Sequence, residues 1–127
     1  MIHKIKILDS ILADSEADIE AVKTLSGRDA RALCDYSKGV LVMTAATETG
    51  ACNFTVDSIQ VSWNNSDWTT IQTGIALAFT AAGVQAIAMS GSYGLPLYIK
   101  LLVTAAQVTG DHKFASFTAE LQLSTNT

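Results

Sequence analysis

Charge is scarce in this sequence. Asp, Glu, Lys and Arg make up 16% of its 127 residues, against an ordinary share of about 25%. The Lys and Arg residues are scattered from Lys4 to Lys113 without a cluster, and the formal net charge is −4 with a pI near 4.9. That balance argues against a nucleic-acid partner, because binding phosphates requires clustered cations that release counterions. It argues equally against an anionic membrane surface. Long apolar runs are missing too: the most apolar window, Ile75 to Met89, is broken by Thr80, Gly83 and Gln85 and is too short to span a bilayer. His3, Lys4 and Lys6 are followed by Asp9, Asp14, Glu16, Asp18 and Glu20, where a secretory signal would place an apolar stretch. The expectation is a protein made in a reducing cytosol.

Groups for chemistry are equally few. The two cysteines, Cys34 and Cys52, lie far apart and match neither a C-x-x-C nor a zinc spacing, which predicts two buried thiols outside any disulfide. His3 stands at the start and His112 in a turn between Asp111 and Lys113, neither beside a Ser or Cys in a recognisable setting. No G-x-S-x-G, H-E-x-x-H or P-loop occurs. Asp57, Asn64, Asn65 and Asp67 offer oxygens around a hairpin but lack the order of a calcium loop, and residues of this kind are what a tight turn prefers. No catalytic residue, metal site or cofactor is expected.

What the sequence has instead is apolar residues, 49% of the total, on short segments of period two. With so little charge, much of the surface must be Thr, Ser, Asn, Gln and Ala, which cost less to desolvate than unpaired charges and suit a chain covered by neighbours. Ile2 to Leu12 alternates in part, while the acidic run from Asp14 to Ala21 has the letters of one or two helical turns. Residues 1–28 are therefore expected as an N-terminal arm or edge element, and residues 29–127 as the folded domain. Ser26 to Asp29 reads as a turn and Ala30 to Tyr36 as a short strand.

Val40 to Thr47 reads as a buried strand. In Asn53 to Trp63, Phe54 and Val56 lie in one phase and Ile59 and Val61 in the other, which predicts a bulge near Asp57 and Ser58. Asn64 to Asp67 turns the chain into Trp68 to Gln72, with Trp68 expected in the core. Ile75 to Thr80 and Val84 to Met89 follow, then a loop from Ser90 to Gly94 and the single proline, Pro96. Leu97, Ile99, Leu101 and Val103 are expected inward on the next strand, and Phe117, Ala119, Leu121 and Leu123 on the last. The fold class is all-β: an antiparallel β-sandwich, jelly-roll-like, with an N-terminal arm.

Taken in order, Phe54-Thr55-Val56 to Val61, the hairpin Asn64-Asn65-Ser66-Asp67-Trp68-Thr69-Thr70-Ile71, Phe79 to Gln85, Leu97-Tyr98-Ile99-Lys100-Leu101 and Gly110 to Leu121 resemble capsid decoration or cement proteins of tailed phages. The resemblance covers a little over half of the chain. It departs from that family at Leu97-Tyr98, where those proteins commonly carry an Arg-Tyr pair. It implies a non-enzymatic virion protein on the capsid surface, docked at capsomer junctions, with the major capsid protein and further copies of itself as partners and neither nucleic acid nor membrane involved.

Ile5, Ile7, Ile11 and Leu12 of the arm, with Trp63, Tyr93 and Tyr98, are the expected contact residues, and an arm that orders on contact adds area at an entropic cost. Deleting residues up to about Glu20 is then expected to leave the sandwich folded. Two alternatives stand beside this reading: a phage tail, head-fibre or host-attachment module, and a carbohydrate-binding β-sandwich that stacks sugars on Trp63 and Tyr98.

Overall fold

The computed structural model describes residues 2–72, 77–89 and 94–125. The last strand shows how the pattern becomes structure. In β9 (Lys113–Thr125), Phe117, Ala119, Leu121 and Leu123 are completely buried, while Ser116, Thr118, Glu120 and Gln122 alternate with them on the outer face. β9 is an interior strand of its sheet, with a neighbour on each edge. It pairs antiparallel with β1 (Ile2–Asp14) and with β3 (Tyr36–Thr49). Beyond β3 lies β7 (Gly83–Met89), completing a sheet of order β1-β9-β3-β7. The second sheet runs β2 (Ile19–Thr24), β8 (Tyr98–Ala105), β4 (Phe54–Ser62), β5 (Thr69–Gln72), with β6 (Leu77–Phe79) also paired to β4. β1 to β4 alternate between the two sheets, as do β7 to β9. The two antiparallel sheets close as a β-sandwich over one core.

The bulge expected in β4 is present. Its register with β8 shifts between Val56 and Ser58, and the shift returns Ile59 and Val61 to the face already held by Phe54 and Val56, so that all four are fully buried. The Asn64–Asp67 turn closes on itself: the Asn64 side-chain oxygen accepts from the backbone N–H of Ser66 and Asp67, and the Ser62 hydroxyl from those of Asn64 and Asn65. At the other end of the sheets Gly50 holds φ 73°, and a β-carbon there would stand 2.3 Å from the Asp111 carbonyl oxygen. Only glycine permits that approach of β3's exit to the loop before β9.

Several expectations are corrected. Ala30 to Tyr36 is not a strand; the segment belongs to α1 (Gly27–Asp35), capped by a reciprocal box in which Ser26 Oγ accepts from Asp29 N and the Asp29 carboxylate accepts from Ser26 N. Leu25 and Ala30, on either side of that cap, are both buried as a hydrophobic staple requires. The acidic run forms no helical turn: residues 15–17 are a turn and the chain re-enters a strand at Ile19. Leu97 is half exposed; it stands one residue before β8 begins, its N–H donating to Ser62 O and its carbonyl accepting from Leu25 N. Trp68 is half-buried, with Lys100 Nζ 4.2 Å from its ring centre.

Residues 2–24, expected as an arm or edge element, supply the edge strands β1 and β2, and the boundary expected at 28/29 falls inside α1. The strand start at Ile75 and most of the loop expected at 90–94, Tyr93 included, lie outside the described residues.

Candidate functional site

Both histidines and several carboxylates are held in hydrogen bonds. His3 Nε2 donates to Asp29 Oδ1 at 2.6 Å, tying the first strand to α1. His112 Nδ1 accepts from the backbone N–H of Ala51 at 2.8 Å. Asp18 Oδ1 accepts from Ala105 N, Glu16 Oε1 from Gly110 N, and Asp57 from the Thr104 hydroxyl. Cys52 is buried; burial pushes its thiol up, and the nearby Glu48 carboxylate adds to the shift. Among the described residues no group of three or more His, Cys, Asp and Glu side chains could hold a metal ion, and no helix is long and apolar enough to cross a membrane.

Asp29 titrates in an informative direction. Partial burial opposes its charge, but hydrogen bonds from His3, from the Ser26 backbone and from the Ser26 hydroxyl outweigh that and hold its carboxyl below the usual range. A depressed pKa stabilises the fold above the unfolded value, about 3.9, and that contribution is lost as pH falls through the folded value. Asp29→Asn should therefore cost about 1 kcal/mol at pH 7, the scale of a helix cap, and progressively less below pH 4. Urea unfolding at both pH values measures this; an equal loss at both would show that the carboxylate's charge is irrelevant.

The residues expected at an interface separate into three groups. Ile5 and Ile7 sit inside the sandwich at 1% and 8% exposure, so they fill the core instead of meeting a partner. Ile11 is half-buried against the same core, and Tyr98 is half-buried in β8 opposite Ser62. Leu12 and Trp63 are exposed, at 58% and 45%. The Trp63 indole N–H donates to Gly94 O, and Leu97 N bonds Ser62 O, so the exposed side chains of Trp63, Leu95 and Leu97 crowd one tip of the sandwich. Leu95 holds φ 55°, a backbone region costly for a bulky residue.

Two surface features have no counterpart among the expected residues. The first is the rim formed by β7. Val84, Ala86 and Ala88 point outward and are exposed, while Gln85 and Ile87 lean toward the core. Across an unbroken register they stand beside Thr44, Val42 and Val40 of β3, so this side of the outer face is mostly apolar and free of charge until Glu120 on β9.

The second is a polarity along the strands. The registers and the hydrogen bonds to Gly110 and Ala105 bring Asp14, Glu16, Asp18, Glu48 and Asp111 to the end where β1 stops and β9 starts, with Lys113 as their nearby cation. At the opposite end stand Lys23, Arg28, Arg31 and Lys38, offset in part by Asp29 and Asp35 of α1, so that this end keeps a net positive balance. There, a solvent-open cleft of about 660 Å³ is walled by His3, Arg28, Arg31, Ala32 and Asp35.

No known family model matches the chain, and no curated protein does. Two solved structures align with nearly the whole chain. The crystal structure of the T13 infectious bursal disease virus particle aligns with 98% of this chain at 13% identity and a TM-score of 0.51. A structure of the Gx strain of the same virus aligns with 99% of it at 11% identity and a TM-score of 0.48. The chain spans about a third of the length of the chains it matches in these particles.

Proposed function

We propose that this chain is a non-enzymatic structural protein of a virion, working in or on the capsid. The observation that carries the reading is the strand order: β1-β9-β3-β7 facing β2-β8-β4-β5 supports a jelly roll, an architecture recurrent in viral capsid domains. The virus-particle chain with the same fold supports it. So does the use of His3, His112 and Asp18 as backbone or cap partners instead of a convergent site.

The finer proposal is a decoration or cement protein of a tailed-phage head, docked at capsomer junctions beside the major capsid protein, with Leu12 and Trp63 among its contact residues. A surface poor in charge and rich in hydroxyl and small apolar side chains suits repeated docking, in which many modest contacts add through multiplicity. Its test is adsorption. Purified protein incubated with expanded phage heads that lack it should pellet with them and raise their resistance to heat or chelator. Heads that neither bind the protein nor gain resistance overturn the decoration reading; a chain that instead closes into shells by itself assigns it to the shell proper.

A further inference from the structure

We infer that β7 pairs edge to edge with β7 of a second copy, antiparallel about a two-fold axis near Ala86, joining two four-stranded sheets into one. This deepens the proposed role of an oligomeric capsid protein by naming the surface through which copies meet, although the pairing itself needs no shell.

The other sheet edges are protected, and β7 is not. An open edge exposes unpaired N–H and C=O groups, and proteins that stay single blunt it with charge, proline, bulges or brevity. β1 carries exposed Lys4, Lys6 and Asp9, and its pairing with β9 is interrupted by three register shifts. β2 carries Glu20 and Lys23. β5 is four residues long. β7 has none of these devices: Gly-Val-Gln-Ala-Ile-Ala-Met holds no charge and no proline, keeps an unbroken register with β3 over seven residue pairs, and has no further strand beside it among the described residues.

Two observations select a second copy as the occupant. One is pattern. An antiparallel pair centred on Ala86 sets Val84 of each copy opposite Ala88 of the other and leaves Val40 and Val42 flanking the seam on the same face, so apolar meets apolar and no like charges oppose each other. The other is charge complementarity. β7 runs from the acidic end, at Gly83 near Glu48, toward the basic end, at Met89 near Lys38. Antiparallel pairing lays the acidic end of one copy along the basic end of the other, whereas a parallel arrangement would set like ends together.

The full chain should sediment as a concentration-dependent dimer, and Ala86→Lys should weaken the dimer roughly tenfold or more, because two ammonium groups then face each other at the axis. Ala86 is exposed, so the variant should retain the native circular dichroism and unfolding midpoint. Ala86→Glu should weaken self-association likewise, and mixing the two variants should restore a dimer of one of each. A wild-type chain that remains monomeric, an unaltered dimer in both variants, or no restoration on mixing overturns the proposal. Failure of the particle-binding test leaves these readouts untouched, so the two readings fail separately.

Discussion

Phe117→Ala should lower the unfolding free energy by about 3–5 kcal/mol. The ring is fully buried on β9 and meets three others: Phe79 edge-on at 5.3 Å between centroids, Phe54 at 6.0 Å, and Phe114 stacked within 14° at 6.1 Å. Phe54 and Phe79 belong to the second sheet and Phe114 and Phe117 to the first, so this cluster joins the sheets across the core. Truncation removes apolar area and three ring contacts, each worth about 0.5–1.5 kcal/mol beyond area, and leaves a cavity walled by rigid aromatics that collapse poorly. Since a domain of this size is stable by only about 5–15 kcal/mol, the variant should unfold at markedly lower urea with an unchanged slope. Trp63→Ala, at the exposed tip, should shift the same curve by only about 0.5 kcal/mol. A loss below about 1 kcal/mol in Phe117→Ala would mean that the four rings do not form the rigid joint.

The contrast between these two aromatics shows what a sequence can carry. β9, the bulged β4 and β8 beyond Leu97 were legible because period-two alternation is local: each inward residue is announced by its neighbours two places away, and even the bulge shows as a change of phase between Val56 and Ile59. α1 was not. Its nine residues are too few to show a helical period, and Ser26 with Asp29, which form the cap, have the same letters as a turn.

β1 was obscured for a different reason. Its pairing with β9 shifts register between Lys6 and Leu8, Leu8 and Ile11, and Ile11 and Ala13, and Ser10 adopts φ 54°, so a core strand loses its alternation and reads as an irregular arm. The candidate interface was least legible. Nothing in Gly83 to Met89 says whether the strand lies inside a sheet or at its rim; that is decided by which distant segments occupy the other places, β9 beside β3 above all. The polarity of the two ends is likewise invisible until the registers bring Asp14, Glu48 and Asp111 together.

Deleting residues 1–14 should abolish cooperative folding, the reverse of what a dispensable arm would give. Ile5, Ile7, Leu8 and Ala13 would leave the core, where they are 1% to 8% exposed. The three large side chains alone contribute about 1.5–3 kcal/mol each by burial, a sum comparable with the whole stability of a small domain. Some of that loss is returned, because ordering the deleted residues carries a conformational cost of about 1–2 kcal/mol for each backbone unit. The remaining chain gains nothing from this relief, since its own residues must still be ordered around an incomplete core.

β9 then becomes a rim strand along its full length, with a free row of backbone groups and with Ala119 and Leu121 uncovered where β1 had paired. The shortened protein should bind a hydrophobic dye, lose the sharp thermal transition of the full chain, and aggregate. Retention of a cooperative transition near the full-length midpoint would show that β1 is an appendage, and that the second sheet with β9, β3 and β7 is a self-sufficient fold.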